Sequence, residues 1–148
     1  MTRDRDQDYD NNDDDYYVLG FGQPAGPLDN QKITALVRSY FSASAAEDGA
    51  KACALITPFF AETVVEQYGH TPELRGRTCA AVMSKLFKNN HREIADKNAH
   101  LQVMRIGIEG DVARVALAFP EIPTIRQIRI RRVGNRWTVL DLLDHLIE

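Results

Sequence analysis

From Ile33 onward the apolar residues fall at helical spacing. Ile33, Leu36, Val37, Tyr40 and Phe41 occupy i, i+3, i+4, i+7 and i+8, one stripe along a helix. Asp29 and Asn30 are good N-caps, so the helix is predicted to begin there and to end near Glu47-Asp48-Gly49. A short second helix is predicted from Ala50 to about Ile56, with Cys53, Leu55 and Ile56 turned inward. Pro58, favoured in a first helical turn, restarts the chain, and Phe59, Phe60, Val64 and Val65 pack before a stop at Gly69. Residues 69–77 read as a loop on turn chemistry. A third helix, about Thr78 to Asn89, repeats the stripe with Cys79, Val82, Met83, Leu86 and Phe87. The polar stretch NNHREIADKNAH allows one further helical turn.

Beyond residue 102 the period changes from helical to two, the mark of strands with one wet face. Met104, Ile106 and Ile108 alternate with Val103, Arg105 and Gly107, and Ala113, Val115, Leu117 and Phe119 with Val112, Arg114 and Ala116. Glu109-Gly110-Asp111 makes the turn between them. Two prolines, Pro120 and Pro123, loosen the next connection. Ile128 and Ile130 then alternate with Gln127, Arg129 and Arg131, Gly134-Asn135 supplies a hairpin turn, and Trp137, Val139 and Asp141 share a face of the return strand. Helices first and an antiparallel meander after is an α+β pattern: three N-terminal helices packed on a sheet of about four strands.

A length of 148 residues fits one domain, and 44% apolar with 26% charged residues is ordinary for a globular chain. The charge is uneven. Residues 1–16 hold seven Asp against Arg3 and Arg5, a net of −5, while the rest has 14 acids and 16 bases, a net of +2. Residues 1–28 therefore read as an acidic, Gly/Pro-rich tether and residues 29–148 as the folded domain. The near-neutral body lacks the electrostatic footprint of a nucleic-acid binder, and no apolar run approaches the roughly 20 residues of a membrane span. There is no apolar stretch at the N-terminus of the secretory type.

The chain resembles the nuclear transport factor two-like superfamily, the cone-shaped α+β fold that includes SnoaL-like cyclases and ketosteroid isomerase. The likeness covers about residues 29–148. It is carried by ITALVRSYFSASAAEDGAKACALI, by RGRTCAAVMSKLF, and by the ending GDVARVAL…IRIRRVGNRWTVLDL. In particular the chain looks like actinobacterial secreted or lipoprotein-type members, which pair a Cys after the first helix with a Cys opening a later one. The resemblance implies a curved sheet wrapped around helices, a pocket between them, and frequent dimers through the sheet. Tyr40, Phe59, Phe60, Met83, Phe87, Trp137 and Val139 would line the pocket.

Four groups of residues are candidates for chemistry. Cys53 and Cys79 allow one internal disulfide, which the resemblance favours; the alternative is two buried thiols. A bridge implies an oxidising compartment, hence an extracytoplasmic protein whose targeting segment lies outside this sequence, with a cytoplasmic one as the alternative. Asp141, with Asp144 and His145 beyond it, is a candidate general base, and Tyr40 a candidate donor, if Asp141 lies in an apolar pocket. His70, His91 and His100 are dispersed in polar stretches, and no pair has metal-ligand spacing, so no metal and no cofactor are expected. Arg129 and Arg131, on one strand face, suit a carboxylate or phosphate, including the Asp-rich head of the same chain; a solvated strand face is the plain alternative. The expected function is non-catalytic binding of a small apolar ligand or a protein partner. The alternatives are a cofactor-independent isomerase, cyclase or dehydratase using Asp141 and Tyr40, and a homodimeric scaffold without a ligand.

Overall fold

A computed structural model describes residues 20–120 and 122–142. Among them are five helices and five strands. The strand β1 (Gln23–Pro24) precedes the helices α1 (Pro27–Ala45), α2 (Gly49–Ala54), α3 (Pro58–Tyr68), α4 (Cys79–Asn89) and α5 (His91–His100). The meander β2 (Gln102–Glu109), β3 (Val112–Phe119), β4 (Ile122–Val133) and β5 (Arg136–Leu142) follows. The sheet order is β1-β2-β3-β4-β5, antiparallel throughout. The fold is α+β, as the pattern of periods predicts.

Local chemistry places the helix ends. Thr57, Thr78 and Asp48 cap α3, α4 and α2 by accepting from the backbone N–H groups of Phe60, Ala81 and Lys51. Pro58 stands in the first turn of α3. The first helix starts at Pro27 rather than Asp29, with Gly26 as its extended N-cap. It closes in a Schellman arrangement, in which Glu47 N–H donates to the Ser44 carbonyl and Asp48 N–H to the Ala43 carbonyl. Glu47 takes the left-handed position there, at φ 60°. The polar stretch after α4 holds a full ten-residue helix rather than one turn, with Ile94 its buried anchor and Glu93–Lys97 an ion pair four residues apart.

The core lies between the helices and one face of the sheet. Ile33, Val37, Tyr40, Val82, Met83, Leu86 and Phe87 from the helices meet Ile106, Val115, Leu117, Ile128, Ile130, Trp137 and Val139 from the strands in one buried cluster. Two joints fix the helical layer. Cys53 and Cys79 form a disulfide between α2 and α4, with Cα atoms 6.3 Å apart. Beside it, Gly49 lies flat on α4: a Cβ there would come within 2.1 Å of the Ala80 carbonyl oxygen, and its N–H donates to Ser84 Oγ at 2.9 Å. The segment after α2 then runs parallel to β5. Thr57 N–H donates to the Val139 carbonyl at 2.9 Å and Val139 N–H to the Leu55 carbonyl at 2.8 Å.

Two irregularities change the phase read from the sequence. A register shift between Val103 and Arg105 leaves Met104 exposed while Val103 packs on the core. A second, in the pairing of β4 with β5 at Arg129 and Ile130, sets Asp141 opposite Arg129, whereas Val139 is opposite Ile130. Asp141 therefore leaves the face of Trp137 and Val139, because the extra residue, Leu140, reverses the alternation.

Candidate functional site

The resemblance implies a pocket between helices and sheet, lined by residues of the interior. Tyr40, Met83, Phe87, Trp137 and Val139 are all buried in the core cluster, packed on one another's elements. Phe60 packs half-buried at its margin, and Phe59 is 71% exposed. The most chemically distinct of these is Tyr40. Its ring meets Phe41 and Phe87 edge-on, at centroid distances of 6.0 and 6.5 Å. Its hydroxyl is buried and has no hydrogen-bond partner among the described residues. Ser44 is close, but its hydroxyl donates to the Tyr40 main-chain carbonyl at 2.9 Å. Burial pushes the Tyr40 phenol well above the ordinary tyrosine range; the nearby Ser44 hydroxyl opposes that shift and Tyr68 adds to it. An open surface recess of about 570 Å³ lies elsewhere, along Ala25, Pro27, Asn30, Gln31, Thr34 and Ala35, and involves none of the expected pocket residues.

The outer face of the sheet gathers the remaining functional groups. Strand alternation puts Arg105 and Glu109 of β2, Arg114 of β3, and Arg129 and Arg131 of β4 on this side, opposite the buried Ile106, Val115, Ile128 and Ile130. One cross-strand row reads Gly107, Arg114, Arg129, Asp141, and the next reads Glu109, Val112, Arg131, Thr138. The floor is of small residues: Ala116 lies in register between Arg105 and Gln127 and is fully buried outside the main core.

The guanidinium groups are in different situations. Arg129 grips Asp141 with both arms of its fork, Nε donating to Oδ1 at 3.1 Å and Nη2 to Oδ2, which holds the Arg129 pKa above its ordinary value. Arg114 donates to Gln127 Oε1 at 3.1 Å and lies 4.9 Å from the centre of the Phe21 ring. Arg105 donates to the carbonyls of Phe21 (2.7 Å) and Gly22 (3.1 Å). Arg131 is exposed. Thus the chain just before β1 folds over the outer face and is held there by arginines of β2 and β3. Gly107 makes room for it, since a Cβ at that position would sit 1.9 Å from the Phe21 carbonyl oxygen.

Other candidates are scattered. His91 Nδ1 is 3.0 Å from Glu47 Oε2, His100 Nδ1 3.4 Å from Asp96 Oδ1, and His70 is an exposed turn residue. Among the described residues no three His, Cys, Asp or Glu side chains cluster as a metal would need. Asp144 and His145 lie outside the described residues. Tyr40 and Asp141 are not brought together: one is in the helical core, the other on the outer sheet face. Sequence reasoning did not single out Arg105 or Arg114. The arginines are legible as the polar phase of β2 and β3; the contacts of Arg105 with Phe21 and Gly22, 84 and 83 residues apart in sequence, have no local signal that names the partner.

No family model, no curated protein and no solved structure matches this chain. Among the described residues no helix is long and apolar enough to cross a membrane.

Proposed function

We propose that this chain is a non-catalytic, extracytoplasmic binding domain of the nuclear transport factor two-like cone type, and that its outer sheet face takes an acidic segment of a protein partner. One observation carries the reading: among the described residues, Arg105, Arg114, Arg129 and Arg131 share the outer sheet face with two acids, Glu109 and Asp141. Planar guanidinium forks on a rigid strand suit carboxylates better than lysines would. The disulfide supports the oxidising compartment, since such bridges persist there and are rare in the cytosol.

The test is a titration with a labelled Asp-rich peptide, followed by backbone NMR. The outer-face amides of β3 and β4 are expected to shift, and Arg131→Glu to weaken binding by about tenfold, about 1.4 kcal/mol. Binding is expected to fade at about 1 M salt, where charges are screened beyond about 3 Å. Equal affinity in Arg131→Glu, or shifts confined to the helices, would overturn the assignment.

A small apolar ligand is the second reading. It is favoured by the buried, unpartnered Tyr40 hydroxyl, a ready donor to a ligand acceptor in an interior that opens. Native mass spectrometry of protein taken from its host tests it: a retained mass released on denaturation supports a ligand. The isomerase, cyclase or dehydratase alternative has less support, because its base, Asp141, is engaged by Arg129 away from Tyr40. A scaffold dimerised through the outer face has less support too, since a two-fold contact would set one copy's arginines against the other's.

A further inference from the structure

We infer that the acidic head of the chain, Asp4 to Asp15, is the resident occupant of the arginine face and competes there with an acidic partner. The inference rests on the reading of that face as an acid-binding surface. Its first support is the path of the chain. The head joins the fold through Gly20, Phe21 and Gly22, and Phe21 lies on the outer face, its carbonyl bonded to Arg105 and its ring against Arg114. The head thus departs from the surface whose charge complements its own, not from the helical side.

Charge and reach supply the rest. The head carries seven Asp against two Arg. Among the described residues, the outer face carries Arg105, Arg114, Arg129 and Arg131 against Glu109 and Asp141. Asp13, Asp14 and Asp15 stand five to seven residues before Gly20, a span of at most about 17–25 Å when extended. From β3, where Phe21 meets Arg114, to β5 is two strand spacings, about 10 Å. Arg129 and Arg131 are therefore within reach of the nearest three carboxylates, and the outer four Asp reach further. Single exposed ion pairs are weak, but a tethered segment acts at an effective concentration on the order of millimolar, and several weak pairs then suffice for occupancy. Such a head sets a threshold: only a partner more acidic, or better shaped, than the chain's own segment displaces it.

The test compares two full-length proteins, the natural chain and one with Asn at positions 4, 6, 8, 10, 13, 14 and 15. All seven lie outside the described fold, and matching melting curves confirm that both are folded. NMR signals of Arg114, Gln127, Arg129 and Arg131 are expected to differ between the two proteins. Salt at about 1 M should carry the natural chain toward the Asn form. The Asn form should also bind the Asp-rich peptide about tenfold more tightly, as removal of a tethered competitor predicts. Identical outer-face signals overturn the inference. So does equal peptide affinity in the two proteins, which leaves the partner-binding reading standing. Peptide binding to neither, with the signals differing, removes the partner reading and keeps the head on the face.

Discussion

Replacing Tyr40 by Phe should stabilise this protein. The substitution deletes one buried oxygen that has no hydrogen-bond partner among the described residues and keeps the ring that packs edge-on against Phe41 and Phe87. An unsatisfied buried hydroxyl costs about 1–3 kcal/mol. Against that stands the void left by one oxygen, on the order of 10 Å³, which at about 24 cal/mol per Å³ costs only about 0.2 kcal/mol. The expected net gain is about 1 kcal/mol or more, a rise of about 2–4 °C in Tm for a chain of this size. Urea unfolding of the full chain with its disulfide intact measures it.

The pH dependence gives an independent check. The folded phenol titrates above the ordinary tyrosine value of about 10, because burial disfavours the phenolate. Above about pH 10 the unfolded chain releases this proton and the folded chain holds it, so stability is complete below pH 10 and falls as pH rises beyond it. In Tyr40→Phe that contribution to the alkaline slope disappears, and its advantage grows with pH. A variant destabilised by about 1 kcal/mol would refute the reasoning: the hydroxyl would then be hydrogen-bonded in solution, to water or to a ligand, and the interior would regain its claim as a binding site.

Two further outcomes are expected. Replacing both Cys53 and Cys79 by Ala should lower the unfolding free energy by about 3.5 kcal/mol, the chain-entropy value for a bridge across 26 residues, as read by denaturant titration; a loss below about 1 kcal/mol would mean that the unfolded chain is not appreciably constrained by the bridge. Asp141→Asn should cost little stability, about 0.2–1 kcal/mol for a partly exposed pair, while freeing Arg129 and strengthening binding of the Asp-rich peptide; weaker peptide binding would show that the Arg129–Asp141 pair orients the face rather than blocking it.

The helical stripes of α1 and α4 were plain in the sequence because each buries one face and leaves the other wet, so spacing alone locates Val37, Tyr40, Met83 and Phe87 in the core. The hairpin at Gly134 was equally plain, since a two-residue loop needs a positive φ and Gly134 has one, at 66°. The helix α5 is only faintly marked in the sequence because it contributes a single buried anchor, Ile94, and carries an ion pair, Glu93–Lys97, on its polar side. The two register shifts were invisible because an extra residue in a strand leaves composition unchanged; yet one of them decides that Asp141 meets Arg129 and not the core. Residue types alone left the pairing of Cys53 with Cys79 open, as two thiols on buried helical faces read the same whether bridged or not. The placement of Phe21 depends on a vacancy at Gly107, a steric condition created only when β2 and the entering segment meet.

The parallel pairing of residues 55–57 with Val139 links the redox state of the protein to the exposure of its sheet. That segment is the direct continuation of α2, and α2 is tied to α4 by the Cys53–Cys79 bridge. While the bridge is closed, the backbone groups of Val139 are spoken for and cannot template an incoming strand. Reduction would leave the short helix held by non-covalent contacts, the burial of Ala52 and the Gly49–Ser84 hydrogen bond among them, and a slip of α2 would free the backbone N–H and C=O of Val139. By fixing α2, the bridge thus also holds in place the segment that caps the backbone of Val139, so that one covalent link in the helical layer serves the edge of the sheet.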